Sequence, residues 1–288
     1  MSAPTLSPSL RVRSEFLARF MGTPKAMIGC AIVGTMVLIA IFAPWLAPTD
    51  PTKINVLHNW RPPSSTNLLG TDELGRDVLS RLIAAARISM LIAISVLAII
   101  MSIGVTSGVC AGWVRGRIDG LVMRVVDVTF AFPEVIIAIL VASILGPGVL
   151  TTIVTLSLVW WPGIARLARS LVLSVRNELY IEAAISCATP IWRIMLWHVL
   201  PNIFPQLLVR ASLSVGMIIM AEAGLSFLGI GVVEPNPTWG GMIREGLPNL
   251  RTDPHLALSA SAALMITMIG FNLLGDGLRD VFDPKVRR

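Results

Sequence analysis

Six apolar stretches constrain this chain more than any other feature. They cover about 27–46, 88–111, 125–145, 149–168, 203–230 and 256–274. About 20 residues of apolar helix cross the ~30 Å hydrocarbon core of a bilayer. Each stretch meets that length, so the chain reads as an all-α polytopic membrane protein with six transmembrane helices. Composition agrees: 55% of the residues are hydrophobic and 14% are charged, far from an ordinary soluble domain. The fifth stretch is long enough to tilt, or to break near its glycine-rich end.

Lysine and arginine set the orientation. Residues 1–24 form a polar, basic tail with Arg11, Arg13 and Arg19 and without the pattern of a secretory signal. A short amphipathic helix is expected there over 14–21. The membrane domain takes residues 25–288. With the N-terminus inside, the inner segments hold 15 Lys and Arg and the outer segments 7, with Arg210 inside the fifth span. The bias places both termini, and the segment between the fourth and fifth spans, in the cytoplasm. It also accounts for the net charge of +6 as membrane topology, with no nucleic-acid partner.

Several chemistries have no footing. The only lysines are Lys25, Lys53 and Lys285, and none closes a G-x-x-x-x-G-K-[ST] loop, so the chain itself cradles no ATP phosphate. Cys30, Cys110 and Cys187 stand apart, which argues against a zinc site or redox pair; they are expected as small buried apolar residues. His58, His198 and His255 form no H-E-x-x-H, and G-x-S-x-G is absent. No catalytic or metal-binding residue is assigned, and the chain is not read as an enzyme.

Residues 177–202 are too polar to be a span, with Glu178, Glu182, Arg193 and His198 spaced along them. Thr189 before Pro190 suits an N-cap followed by a proline at the first helical position. Two short helices are expected, over 177–188 and 190–200, the second closed by Pro201.

Other local patterns carry expectations of their own. Asp72, Arg76 and Asp77 have helical spacing for exposed local pairs of little stabilising value, serving either structure or substrate. Gly104, Gly108 and Gly112 repeat G-x-x-x-G and should let a neighbouring backbone approach closely. Arg124 and Asp127 are placed to pair. Pro133 should kink the third span. Glu134, about nine residues into that span, should face protein or an aqueous cavity, either lining a pathway or packed and hydrogen-bonded. Trp239 suits an interfacial anchor. Asp276, Arg279, Asp280 and Asp283 should form a solvated cap beneath the sixth span.

Five blocks occur in one order: LGTDELGRDVLSR, MRVVDVTFAFP, EAA with LPN, EAGLSFLGIG and NLLGDGLRD. Together they closely resemble the dipeptide, oligopeptide and nickel class of ABC importer permeases, over nearly the whole chain. The resemblance implies a type I importer permease fold, multi-pass in the bacterial cytoplasmic (inner) membrane. It implies a heterodimer with a homologous permease, two ABC ATPase subunits or a fused pair, and an external substrate-binding protein. ATP and Mg would be bound by the ATPases, and no cofactor by this chain. Residues 177–202 resemble the family's EAA coupling loop, which docks on the ATPase. Glu182 would be its polar anchor, Ala183 and Ala184 would permit close approach, and Tyr180 and Ile181 would supply apolar contact. Leu200 and Pro201 complete the motif. Ala188 departs from it, since the family carries glycine there. Alanine should avoid the left-handed conformation, at a cost of roughly 1 kcal/mol. Glu134 and Glu222 are the candidate pathway residues; the alternative reading, an ion-coupled secondary transporter, needs ionisable groups at mid-membrane, and the same two are the clearest.

Overall fold

The structure is a computed structural model describing residues 17–282. Five helices are long and apolar enough to cross a membrane: α1 (Pro24–Leu46), α2 (Val78–Val114), α5 (Val149–Val175), α7 (Ile191–Phe227) and α9 (His255–Phe282). Between α2 and α5 lie α3 (Gly116–Phe130) and α4 (Glu134–Leu145), which meet at 89°. Counted as one broken span, this pair makes the sixth. Two shorter α-helices precede spans, α6 (Leu179–Ser186) before α7 and α8 (Trp239–Gly246) before α9. Residues 17–22 are helical, in keeping with the amphipathic helix expected at 14–21, whose first residues fall outside those described, as do Asp283 and Lys285.

The third span was expected as one kinked helix over 125–145, and it is instead broken. Pro133 has no N–H to continue the ladder and disfavours helical geometry at Phe132. Ala131 closes α3 by donating to Asp127 O, and Pro133 becomes the extended cap of α4. Asp127 pairs with Arg166 at 2.7 Å, not with Arg124. The broken geometry brings α5 within reach of Asp127, while Arg124 stays exposed.

Pro201 does not close the second helix of the polar segment, because α7 runs through it. A π-helical turn over Met195–Val199 precedes it, with Leu200 N–H bonding to Met195 O. A proline ring would collide with the carbonyl four residues back, here that of Trp197, and the wider turn makes room for it. The far end of α7 stops at Phe227, where Gly229 takes φ +80. Gly229 N–H bonds to Ser226 O and Ile230 N–H to Leu225 O, a Schellman ending.

The core runs along α2. Gly104, Gly108 and Gly112 face α5, and a Cβ on Gly108 would lie 2.3 Å from Ala165 O. Only hydrogen fits there, so the G-x-x-x-G steps act in packing as expected. The main apolar cluster joins Val78, Ile92 and Ile100 of α2 to Leu156 and Ile164 of α5, Ile218 and Ile219 of α7, and Leu256 of α9. α1 packs on α9, and Gly277 meets the Ala26 backbone in the same way. Outward-facing apolar residues on α1 and α4, such as Leu38, Ile41, Leu140 and Ile144, need no burial in a bilayer.

The same reasoning corrects the cysteines. Cys30, Cys110 and Cys187 are all exposed on the chain. On a spanning helix, a small apolar side chain such as Cys30 or Cys110 can meet acyl chains or a partner, so apolar character does not dictate burial; Cys187 caps α6 at the exposed turn of the hairpin. Trp239 is corrected in the opposite sense: it is 1% exposed and donates its Nε1–H to Leu82 O at 3.3 Å. α8 folds back over the bundle and carries Trp239 into the core. Asp276, Arg279 and Asp280 are exposed on the last turns of α9, and Asp280 lies 3.5 Å from Lys25.

Candidate coupling site and outer-face cluster

α6 and the start of α7 form a two-helix hairpin with two unlike faces. One face is buried against the bundle. Ile181, Ile194, Val199 and Ile203 are at most 1% exposed and share an apolar cluster with Trp113, Ala168 and Val172. The Arg176 guanidinium ties the entrance of the hairpin to the end of α2, donating to Trp113 O and stacking over the Trp113 ring at 5.1 Å. The other face is open. It carries Glu182 and Ala183, with Leu179, Tyr180, Ile185, Trp192 and Trp197 between 41% and 81% exposed.

The expected coupling residues therefore divide. Tyr180, Glu182 and Ala183 lie on the open face, as does Pro201. Ile181 does not: as a fully buried residue it anchors the hairpin to its own chain and supplies no contact to a partner. The helix period explains the split, since neighbouring residues stand about 100° apart around the axis. Ala184 and Leu200 are half-buried against the inner cluster. Burial, together with the charge of Glu178, pushes the Tyr180 phenol above its usual range.

Ala188 overturns its expectation. Its φ is +52, in the left-handed region. Ala188 N–H bonds to Ile185 O at 2.9 Å and Thr189 N–H to Ala184 O at 3.1 Å. This is the Schellman pattern that ends α7 at Gly229. Two backbone bonds that satisfy helix-end carbonyls, and the hairpin reversal they permit, outweigh the roughly 1 kcal/mol steric cost of a Cβ.

Glu134 occupies the first turn of α4, beside the break, and is half-buried. Trp160 donates its Nε1–H to Glu134 Oε1 at 3.2 Å, so the carboxylate has a polar protein neighbour. Glu222 is fully buried on α7, accepting from Ser89 Oγ and Ser226 Oγ, each at 2.8 Å. Enclosed between α2 and α7, it lines no open path.

A second constellation sits at the opposite end of the bundle and was only half visible in the sequence. Asp72 and Arg76 pair at 2.6 Å, but residues 69–77 are turns rather than helix, and the pair is buried. Asp72 Oδ1 accepts from the N–H of Leu74 and of Arg76, which fixes the turn. Asp77 instead caps α2, accepting from Ser80 N–H at 2.8 Å. The pair continues into a network. Arg76 reaches both oxygens of Glu234 at 2.6 and 2.7 Å. Arg81, 2% exposed, reaches Asp72, Glu234 and Glu245. Burial alone would raise the Glu234 carboxyl, but the hydrogen bond from Arg76 and the charges of Arg76 and Arg81 outweigh it and hold the carboxyl below its usual range. The expectation of weak exposed pairs is thus corrected to a largely buried cluster of two guanidinium groups and three carboxylates. Arg81, Glu234 and Glu245 had no local signal, since the partners lie more than 150 residues apart.

Comparison with known proteins gives the setting for both sites. Residues 104–288 match the family described as binding-protein-dependent transport system inner membrane component. Residues 13–63 match the N-terminal transmembrane domain of oligopeptide transport permease C. The chain is 37% identical over 280 residues to an oligopeptide transport system permease protein of Bacillus subtilis, covering 97% of this chain and 92% of that one. It is 36% identical over 264 residues to a probable D,D-dipeptide transport system permease protein of Escherichia coli, covering 92% and 89%. It is 38% identical over 274 residues to a glutathione transport system permease protein of Pectobacterium atrosepticum, covering 95% and 91%.

Proposed function

Because this chain belongs to the binding-protein-dependent transport system inner membrane components, a family of transport permeases and not of enzymes, we propose that it forms half of a translocation pathway for peptides or peptide-like solutes. The relatives named for oligopeptide, dipeptide and glutathione transport support that substrate class. Its partners are a homologous permease, two ABC ATPase subunits or a fused pair, and an external substrate-binding protein. The ATPases bind ATP and Mg. The chain sits in the bacterial inner membrane with both termini and the α6–α7 hairpin in the cytoplasm, as the 15 to 7 distribution of cations favours.

One observation carries this reading: the hairpin has an anchored back, an open front, and a second helix that runs on into the bundle through one π-turn. Ile181 and Ile194 fix it to the bundle, while Glu182, Ala183 and Trp192 remain free for a partner. Its second helix continues directly into transmembrane α7, so a push on the open face moves a membrane helix. Closure of the ATPase dimer on ATP would enter here and reorient the bundle. The ion-coupled alternative gains nothing from Glu222, which two serines enclose.

The test is the complete transporter in proteoliposomes, assayed for peptide uptake and for ATP hydrolysis stimulated by the binding protein. Glu182→Lys is expected to abolish uptake, with ATPase association lost or hydrolysis no longer linked to transport. Normal uptake with normal ATPase association would remove Glu182 from this role.

A further inference from the structure

At the end of the bundle that bears the coupling hairpin, α5, α7 and α9 border an open cavity of about 490 Å³. Its walls are largely apolar, including Leu167, Val209, Leu213 and Phe282. Two cations, Arg210 of α7 and Arg279 of α9, also line it, and no carboxylate among the described residues does. Neither guanidinium makes a hydrogen bond, ion pair or ring contact among the described residues. Of the acids near Arg279 among the described residues, Asp280 is turned toward Lys25, and Asp276, one turn back on α9, is exposed and makes no ion pair with it. Two uncompensated guanidinium groups beside an apolar wall form a receptor for an anion that carries its own apolar body.

Depth identifies that anion. α9 has 28 residues, or about 42 Å of helix against a hydrocarbon core of about 30 Å. Arg279, in its last turn, therefore stands at headgroup level. Arg210 lies 17 residues from the outer end of α7 at Phe227, about 26 Å along the helix. That puts its Cα just inside the hydrocarbon boundary, from which its long side chain reaches outward. Basic pockets between transmembrane helices at the membrane edge suit lipid headgroups. We propose that Arg210 and Arg279 hold the phosphate of an anionic phospholipid in the leaflet on the coupling-hairpin side, with its glycerol and acyl part against Leu167, Val209 and Leu213. The site stands or falls without the peptide-permease reading.

The experiment uses the intact transporter complex, delipidated in detergent, then exposed to phosphatidylglycerol or phosphatidylcholine and analysed by native mass spectrometry for lipid retained on this chain. Wild type is expected to retain phosphatidylglycerol in preference to phosphatidylcholine. Arg210→Gln with Arg279→Gln should lower phosphatidylglycerol retention about tenfold or more. Arg279→Gln alone, at an exposed position where folding is not at risk, should lower it severalfold, and Arg279→Lys should restore most of it. Equal retention of the two lipids, or unchanged retention in both Gln variants, would overturn the proposal. Displacement of the lipid by millimolar inorganic phosphate would assign the pocket to a soluble anion, and displacement by a dipeptide would assign it to the substrate. Either result overturns the lipid assignment.

Discussion

Replacing Arg81 by methionine probes what the buried ion cluster at the end opposite the hairpin contributes. Arg81 is 2% exposed and touches three carboxylates, two of which it shares with Arg76 at hydrogen-bond distance. Methionine keeps much of the arginine stem, so the packing loss is small. The charge balance changes more: one guanidinium is left to serve three carboxylates, one of them fully buried. Removing one partner of a buried ion pair costs roughly 3–5 kcal/mol. Glu234 is 46% exposed and partly screened by water, which favours the lower end, about 3 kcal/mol. That corresponds to roughly a 150-fold rise in the population of the locally opened state. Hydrogen exchange in the reconstituted complex reads it directly, at amides bonded within the cluster: Asp72 to Arg76, Val78 to Gly70, and Met242 to Thr238. Exchange at the hairpin end, across the membrane, should not change. Arg81→Met combined with Glu245→Gln removes the surplus carboxylate and should recover most of the protection. A rise below about threefold for Arg81→Met, or an equal rise in the double variant, would refute the charge argument.

Three further outcomes follow from local geometry. Ala188→Gly should relieve the left-handed strain, stabilising the hairpin by about 1 kcal/mol and slowing exchange of the Ala188 and Thr189 amides; faster exchange would contradict it. Gly108→Leu should prevent α2 from seating on α5, because even a Cβ would lie 2.3 Å from Ala165 O, and should be seen as loss of folded complex in size-exclusion profiles; wild-type assembly would show that the helices can part cheaply. Glu234 is held below its ordinary value, so its stabilisation is complete above that value and lost as pH falls through the depressed one. Exchange at the cluster, corrected for its intrinsic pH dependence, should therefore be flat near neutrality and rise only in acid below pH 4.5, with Glu234→Gln removing part of that rise.

The spans and the hairpin were legible because hydropathy and proline spacing act locally. Six apolar lengths agree with five long helices and one broken pair, and the Thr189–Pro190 break was enough to separate α6 from α7, although Pro190 itself, and not Thr189, is the cap before Ile191. The glycine steps of α2 could be read for the same reason, since close approach depends on side-chain size at one position. What was missed depends on distant partners. Asp72 and Arg76 looked like exposed neighbours until Glu234 and Glu245 arrived from the far end of the chain to bury them. Trp239 looked interfacial because no local pattern shows α8 folding over α2. Ala188 shows another limit. A propensity rule gives the cost of a Cβ in the left-handed region, but the two Schellman bonds that offset it belong to the turn as a whole.

The central claim is that the open face of the α6–α7 hairpin meets the ATPase while its back face belongs to the bundle. Site-directed cross-linking in the complete transporter tests this directly, in a background with Cys30, Cys110 and Cys187 replaced by serine. Ala183→Cys places a thiol on the open face, and Ile181→Cys places one at a fully buried position two residues away. The expected result is a covalent adduct between this chain and the ATPase from Ala183→Cys and none from Ile181→Cys. An adduct from Ile181→Cys, or none from Ala183→Cys in a complex that still transports, would contradict the account.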